Sequence, residues 1–225
     1  VVIVTGASQG IGRAVAEGFL EASARVVFVA RSPDMLERVG QLPSDRALAI
    51  QCDVTDAGAA ERICDAALKT FGRIDVLINN AGIWHKTGPL DETPPQLLQA
   101  TVQTNLTGLM QITQAAIPAL RANEEGIILN VVSKSGVVAQ AGQSVYTATK
   151  YGVRGFTEVL KADEENTGVR VGGVYQSGTN TGMFSKAGED VPNHIFTEPD
   201  DLADVVVFVL SRPPKLWIHD IRIEL

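Results

Sequence analysis

Metal ligands are scarce in this chain: 225 residues hold only two cysteines and three histidines. Cys52 and Cys64 lie twelve residues apart and form neither a C-x-x-C pair nor a Cys/His ligand spacing. They read as two reduced, buried thiols, which sets aside a disulfide framework and makes a reducing, cytoplasmic compartment the expectation. His194 and His219 have no partner at ligand spacing, so no metal is expected. Long hydrophobic runs are missing as well. None approaches the ~20 residues a membrane span needs, and the overall 45% hydrophobic and 20% charged residues are ordinary for a soluble protein. Positive charge is short: the formal net charge is -7, and the lysines and arginines form no cluster, so nucleic acid is not an expected partner. The sequence opens at Val1 in an apolar run without an initiator Met, a charged segment or a cleavage signature. A few residues are expected to precede it.

What is present is alternation. Short β-branched runs at Val1–Val4, Val26–Val29, Ala47–Ile50, Val76–Ile78, Ile127–Val132, Val169–Val174 and Ile218–Ile223 predict seven strands. Helical patterns fall between them at Ile11–Ala22, Met35–Val39, Gly58–Phe71, Gln96–Ala122, Val145–Glu164 and Asp200–Leu210. Continuously apolar strands belong in a parallel sheet covered on both faces, and right-handed βαβ crossovers wind it doubly. The expected fold class is α/β: a Rossmann-like, doubly wound sheet of seven mostly parallel strands with helices on both faces. One domain spanning residues 1–225 suffices, since a chain of this length buries roughly 70% of its unfolded surface. The loosely patterned stretch Gln176–Glu198 is expected to be a mobile lid over the substrate.

Where the first strand meets the first helix the sequence reads Thr5-Gly6-Ala7-Ser8-Gln9-Gly10-Ile11-Gly12. Glycines at such a junction let backbone approach a pyrophosphate seated on a helix N-terminus. The spacing is G-x-x-x-G-x-G rather than G-x-G-x-x-G, and a glycine turn of this kind also occurs for purely structural reasons. About twenty residues further, many dinucleotide folds carry an acid for the ribose hydroxyls. Here the strand ends in Arg31-Ser32, which offers a guanidinium to a 2′-phosphate and favours NADP. The plainer reading is a solvated arginine.

Tyr146 and Lys150 form Y-x-x-x-K, an i, i+4 pair on one helical face. With three tyrosines and seven lysines, chance alone supplies about 0.1 such pairs, so the spacing needs company. Ser133 ends the fifth strand and Asn105 lies within the long fourth helix, and both can reach a crevice at the strand carboxyl ends. Singly, one is an ordinary turn former and the other an ordinary solvated asparagine.

Together with Asn79-Asn80-Ala81-Gly82, these features resemble the short-chain dehydrogenase/reductase family from Val1 to about Leu210. The resemblance implies an NADP(H)-dependent oxidoreductase that interconverts a carbonyl and a secondary alcohol. Tyr146 would be the proton donor or acceptor, and Lys150 would stabilise its phenolate and hold the nicotinamide ribose. Ser133 would bond the substrate oxygen, and Asn105 would position a water leading from Lys150 to solvent. It further implies cofactor contacts from Gly6, Ser8, Gln9, Gly10, Ile11 and Gly12, from Arg31 and Ser32, from Asp53 and Val54, and from Asn79, Ala81 and Gly82. Homodimers or homotetramers through the long helices are implied too.

One segment departs from the family. Where Pro-Gly-x-Val-x-Thr is usual beside the nicotinamide carboxamide, this chain has Gln176-Ser177-Gly178-Thr179-Asn180-Thr181. Of that pattern only the final Thr181 is retained, without the fixed proline and the flexible glycine, and Thr179 and Thr181 are the expected cofactor contacts. That change motivates a rival expectation, a catalytically idle NADP(H)-binding sensor. The ending Arg212-Pro213-Pro214 with a short strand resembles reductases of small 3-hydroxy acids or of diverse carbonyls. Trp84 and His85 read equally as packing or as the mouth of the substrate pocket.

Overall fold

Seven runs of aliphatic and β-branched residues form strands: β1 Val2–Thr5, β2 Val26–Ala30, β3 Ala47–Gln51, β4 Val76–Asn79, β5 Ile127–Val131, β6 Arg170–Gln176 and β7 Asp220–Ile223. They come from a computed structural model that describes residues 1–123 and 125–224. All pair parallel in one sheet of order β3-β2-β1-β4-β5-β6-β7. The helices are α1 Gly10–Glu21, α2 Asp34–Val39, α3 Ala59–Phe71, α4 Pro95–Val102, α5 Gly108–Arg121, α6 Ser144–Asp163, α7 Met183–Lys186 and α8 Pro199–Leu210.

Alternate strand residues point to opposite faces, and each face has its own core. Val4, Phe28, Ile78 and Leu129 pack with Val15 and Phe19 of α1 and Leu202 and Val206 of α8. Ile3, Val27, Leu77 and Ile128 pack with Ile63 of α3, Ile112 of α5 and Leu160 of α6. Cys52 and Cys64 are free and buried, and burial pushes the Cys64 thiol up to about 11, which keeps it protonated.

The chain steps outward from β1 to β3 and then returns to lay β4 on the other side of β1. Loops after β1 and β4 therefore diverge at their carboxyl ends and open a crevice, the place where such sheets hold ligands. Beneath it the paired Asn79 and Asn130 carry a buried polar chain. The Asn79 amide donates to Thr113 Oγ1 at 2.8 Å and to Asn130 Oδ1 at 2.9 Å, and Asn130 donates to Thr157 Oγ1 at 2.8 Å. Each buried amide nitrogen is thus satisfied, and the chain fixes α5 and α6 against the sheet below the crevice.

Two boundaries differ from the sequence expectation. The predicted helix Gln96–Ala122 is interrupted at Gln103–Thr107 by a π-turn. The extra residue of that turn shifts the side-chain register, so the adjacent Thr104 and Asn105 are both buried. Strand β6 runs on through Gln176, because Tyr175 and Gln176 pair with Arg222 and Ile223. The loose segment begins at Ser177 and contains α7, a 3-10 turn at Asn193–Ile195, and a bridge between Thr179 and Thr197.

Candidate active site

Three glycines shape the crevice. Gly6 has φ +69° and Gly10 has φ +54°, a region L side chains avoid. A Cβ on Gly6 would lie 2.9 Å from Ala81 Cα, one on Gly10 2.9 Å from Thr181 Cγ2, and one on Gly12 2.2 Å from Asn80 Nδ2. Thr5 stitches the two turns together. Its hydroxyl accepts the Asn80 and Ala81 backbone N–H groups at 3.0 Å each, and Asn80 Nδ2 donates to Thr5 O at 2.9 Å. The cavity so formed has a volume of about 950 Å³, at the upper end for a small-molecule site.

At one end the cavity is lined by Ser8, Arg31, Ser32, Asp53 and Val54. Arg31 is largely exposed, and its guanidinium donates to Asp53 Oδ2 at 3.4 Å. Burial works to raise the Asp53 pKa, yet the Thr55 N–H and hydroxyl and the Arg31 charge outweigh it and hold the carboxyl below its ordinary range. Arg38 is a second guanidinium that no motif announces. It donates to Ala7 O at 3.3 Å and Ser8 O at 3.1 Å and lines the same cavity.

Ser133, Tyr146 and Lys150 meet at the other end. Ser133 follows β5 with φ +117°, a strained conformation for a residue with a side chain, of the kind that collects at functional sites. Its Oγ accepts the Ser135 N–H at 3.1 Å, so the hydroxyl proton points elsewhere. Lys150 Nζ lies 5.5 Å from the Tyr146 ring centroid and donates to Val131 O at 3.0 Å. Burial pushes the Tyr146 phenol up to about 12, with the Ser133 hydroxyl pulling the other way. Burial also draws Lys150 down to about 8. At neutral pH the phenol holds its proton and the ammonium its charge.

Of the residues singled out in the sequence, Gly6, Ser8, Gln9, Gly10, Ile11, Arg31, Ser32, Asp53, Val54, Ala81, Gly82, Ser133, Tyr146, Lys150, Thr179 and Thr181 line this one cavity. Gly12, Asn79 and Asn105 do not: Gly12 is packed beneath the Gly6 turn and Asn79 belongs to the buried polar chain. Asn105 is buried, accepts the Ile83 N–H at 2.7 Å and donates to Ile83 O at 2.9 Å, so it clamps the segment after β4. Trp84 lies on the cavity wall, edge-on to Tyr146 at 4.6 Å between ring centroids. His85 is buried packing off the wall, while His194 and His219 are exposed. Phe184, Lys186, Glu189 and Phe196 also line the cavity. They come from the segment after β6, where no periodicity marks them.

Among the described residues no group of three His, Cys, Asp or Glu could hold a metal ion, and no helix is long and apolar enough to cross a membrane. An uncharacterized oxidoreductase of Staphylococcus epidermidis is 30% identical over 224 residues, covering 100% of this chain and 96% of its own. The chain superimposes on a serine dehydrogenase complexed with NADP+ at a TM-score of 0.89 with 27% identity, covering 98% of this chain and 93% of that one. A 3-ketoacyl-(acyl-carrier-protein) reductase from Brucella melitensis, complexed with NADH, gives 0.91 with 27% identity and coverage of 99% and 95%. The short chain dehydrogenase family model matches residues 1–192, nearly all of the crevice-forming chain, and the protein belongs to that family of oxidoreductases.

Proposed function

We propose that the chain, acting as one domain, is an NADP(H)-dependent oxidoreductase that interconverts a carbonyl and a secondary alcohol, with Tyr146 as proton donor in reduction. The observation that carries this is the meeting of Ser133, Tyr146 and Lys150 at one end of a cavity whose other end is a glycine cradle beside Arg31.

The cavity fits the cofactor on its own terms. Gly6, Gly10 and Ile11 present backbone at a helix N-terminus for a diphosphate. Gln176 Oε1 and Ser177 Oγ are buried without a hydrogen-bond partner, and both residues line the cavity; such atoms call for a polar ligand group. When bound, the reduced nicotinamide supplies a hydride to the carbonyl carbon. The residues of the chain manage the oxygen. As its double bond to carbon opens, the oxygen takes the Tyr146 proton, while Ser133, free to donate, bonds the same atom. Lys150 then carries the positive charge that steadies the phenolate left behind. Asn105 acts at one remove by holding the Ile83 backbone.

Support for NADP over NAD rests on Arg31, since the structural neighbours include both an NADP+ and an NADH complex. Arg31→Ala is expected to raise the dissociation constant for NADPH about tenfold or more and to leave that for NADH nearly unchanged. Equal effects on the two cofactors in a fluorescence titration would remove that preference. The pH profile follows from Lys150. Its pKa is drawn down to about 8, so the ammonium is present below that pH and lost above it. The rate of carbonyl reduction is expected to be flat to about pH 8 and to fall beyond. A rate that climbs through this range would refute the assignment of Lys150.

The direct test is consumption of NADPH with a panel of ketones and aldehydes. The rival sensor function, motivated by Gln176 and Ser177, predicts tight NADPH binding with no carbonyl consumed. Pairing through α5 and α6 is supported by the exposed Met110, Tyr151 and Val159, and solution mass distinguishes dimer from tetramer.

A further inference from the structure

Aromatic residues make up only 5% of the sequence: two Trp, three Tyr and seven Phe. Three of these twelve gather beside a fourth, the reacting Tyr146. Trp84 stands edge-on to Tyr146 at 4.6 Å and edge-on to Phe184 at 5.4 Å, and Phe184 leans on Phe196 at 5.5 Å. A Cβ on Gly178 would fall 2.3 Å from the Phe196 ring, so that glycine leaves the ring its place. Met183 and Val191 continue the apolar lining.

The polar atoms within this wall are already engaged. The Trp84 indole N–H donates to Glu189 Oε2 at 2.8 Å, and Glu189 Oε1 accepts the Thr87 N–H at 2.5 Å. Burial works to raise the Glu189 pKa, but Thr87, Trp84 and the Lys86 charge lower it below the ordinary range, so the carboxylate stays ionised. A ligand meeting this wall finds ring edges and faces together with the Glu189 carboxylate, while Lys186 of the same segment is turned to Gln9 Oε1. That combination favours flat apolar groups through offset or edge-to-face contact and opposes an anionic one.

We propose that Trp84, Phe184 and Phe196 form a subsite for an aryl group attached to the reacting carbonyl, so that the substrate is an uncharged aromatic ketone. The proposal rests on the reading of Tyr146 as proton donor. A keto acid is the contrasting substrate, and Lys134, a cation lining the same cavity, is the group that would hold its carboxylate.

Three probes of similar size separate these cases: acetophenone, its saturated counterpart cyclohexyl methyl ketone, and 2-oxohexanoate. With the full chain and NADPH, kcat/KM for acetophenone is expected to exceed that for cyclohexyl methyl ketone about tenfold or more, the scale of one or two good aromatic contacts. Phe184→Leu and Trp84→Leu should each collapse that ratio, with Phe184→Leu acting through KM while kcat and NADPH binding hold. The partly exposed Phe184 guards against loss of fold in the Trp84 variant. A ratio near one, or a ratio unchanged in both variants, overturns the subsite, as does a preference for 2-oxohexanoate that disappears in Lys134→Ala. If NADPH binds but none of the three probes, nor any ketone or aldehyde of the wider panel, is reduced, the proton-donor reading falls and the subsite with it.

Discussion

Tyr146→Phe is expected to lower the rate of carbonyl reduction by about three orders of magnitude, the range over which a positioned general acid acts, while NADPH binding stays within about twofold. The substitution deletes one oxygen and keeps the ring. That ring is 7% exposed and packs against Trp84, so Phe fills the same volume. Burial holds the phenol at about 12, hence the proton is present throughout the neutral range and is released only as charge develops on the substrate oxygen. Ser133 remains in the variant as a hydrogen-bond donor but is a poor proton source, which predicts a small residual rate instead of none. Parallel measurement of single-turnover rate and NADPH affinity decides the matter. A variant that keeps its rate assigns the proton to another group, and one that loses NADPH affinity turns the tyrosine into a binding residue.

Much of this arrangement was legible in the sequence because it is local. The glycine spacing at Gly6, Gly10 and Gly12, the i, i+4 pair Tyr146 and Lys150, and the strand-end Ser133 each sit at a junction whose period or composition marks it. The parallel sheet follows from uninterrupted runs such as Val26–Ala30, buried throughout. What stayed hidden depends on contacts between distant residues. The π-turn at Asn105 has no sequence signature, and the Ile83 backbone that Asn105 clamps lies 22 residues away. Arg38 reads as an ordinary helical arginine until α2 brings it to the carbonyls of Ala7 and Ser8. The strained backbone of Ser133 shows only in the folded chain. Phe184, Glu189 and Phe196 come from a segment whose pattern gives no period; Trp84 and Thr87, some hundred residues earlier, hold Phe184 and Glu189, and Phe196 packs on Phe184.

Gly12→Ala is the substitution expected to damage both stability and cofactor binding. Its Cβ would stand 2.2 Å from Asn80 Nδ2 and 2.5 Å from Gly6 O, so α1 must withdraw from the turn or Asn80 must leave. Either motion breaks the bond from Asn80 to Thr5 O and drags the helix N-terminus away from the diphosphate position. Overpacking of this kind costs about 1–3 kcal/mol, and a displaced cradle should weaken NADPH binding about a hundredfold or more, since backbone N–H groups act only at hydrogen-bond range. Gly155→Ala supplies the opposite sign from the same change in the same type of element. It lies in α6 on the face that also carries Tyr151 and Val159, and within one protomer nothing lies within 4 Å of its added Cβ, so for the dissociated protomer the gain in helix propensity of about 0.5–1 kcal/mol stands alone. Thermal unfolding should therefore move down for one alanine and up for the other, while only Gly12→Ala loses NADPH affinity. If both alanines stabilise and both bind NADPH normally, the close packing of the Gly6 turn against α1 is not what shapes the cofactor site.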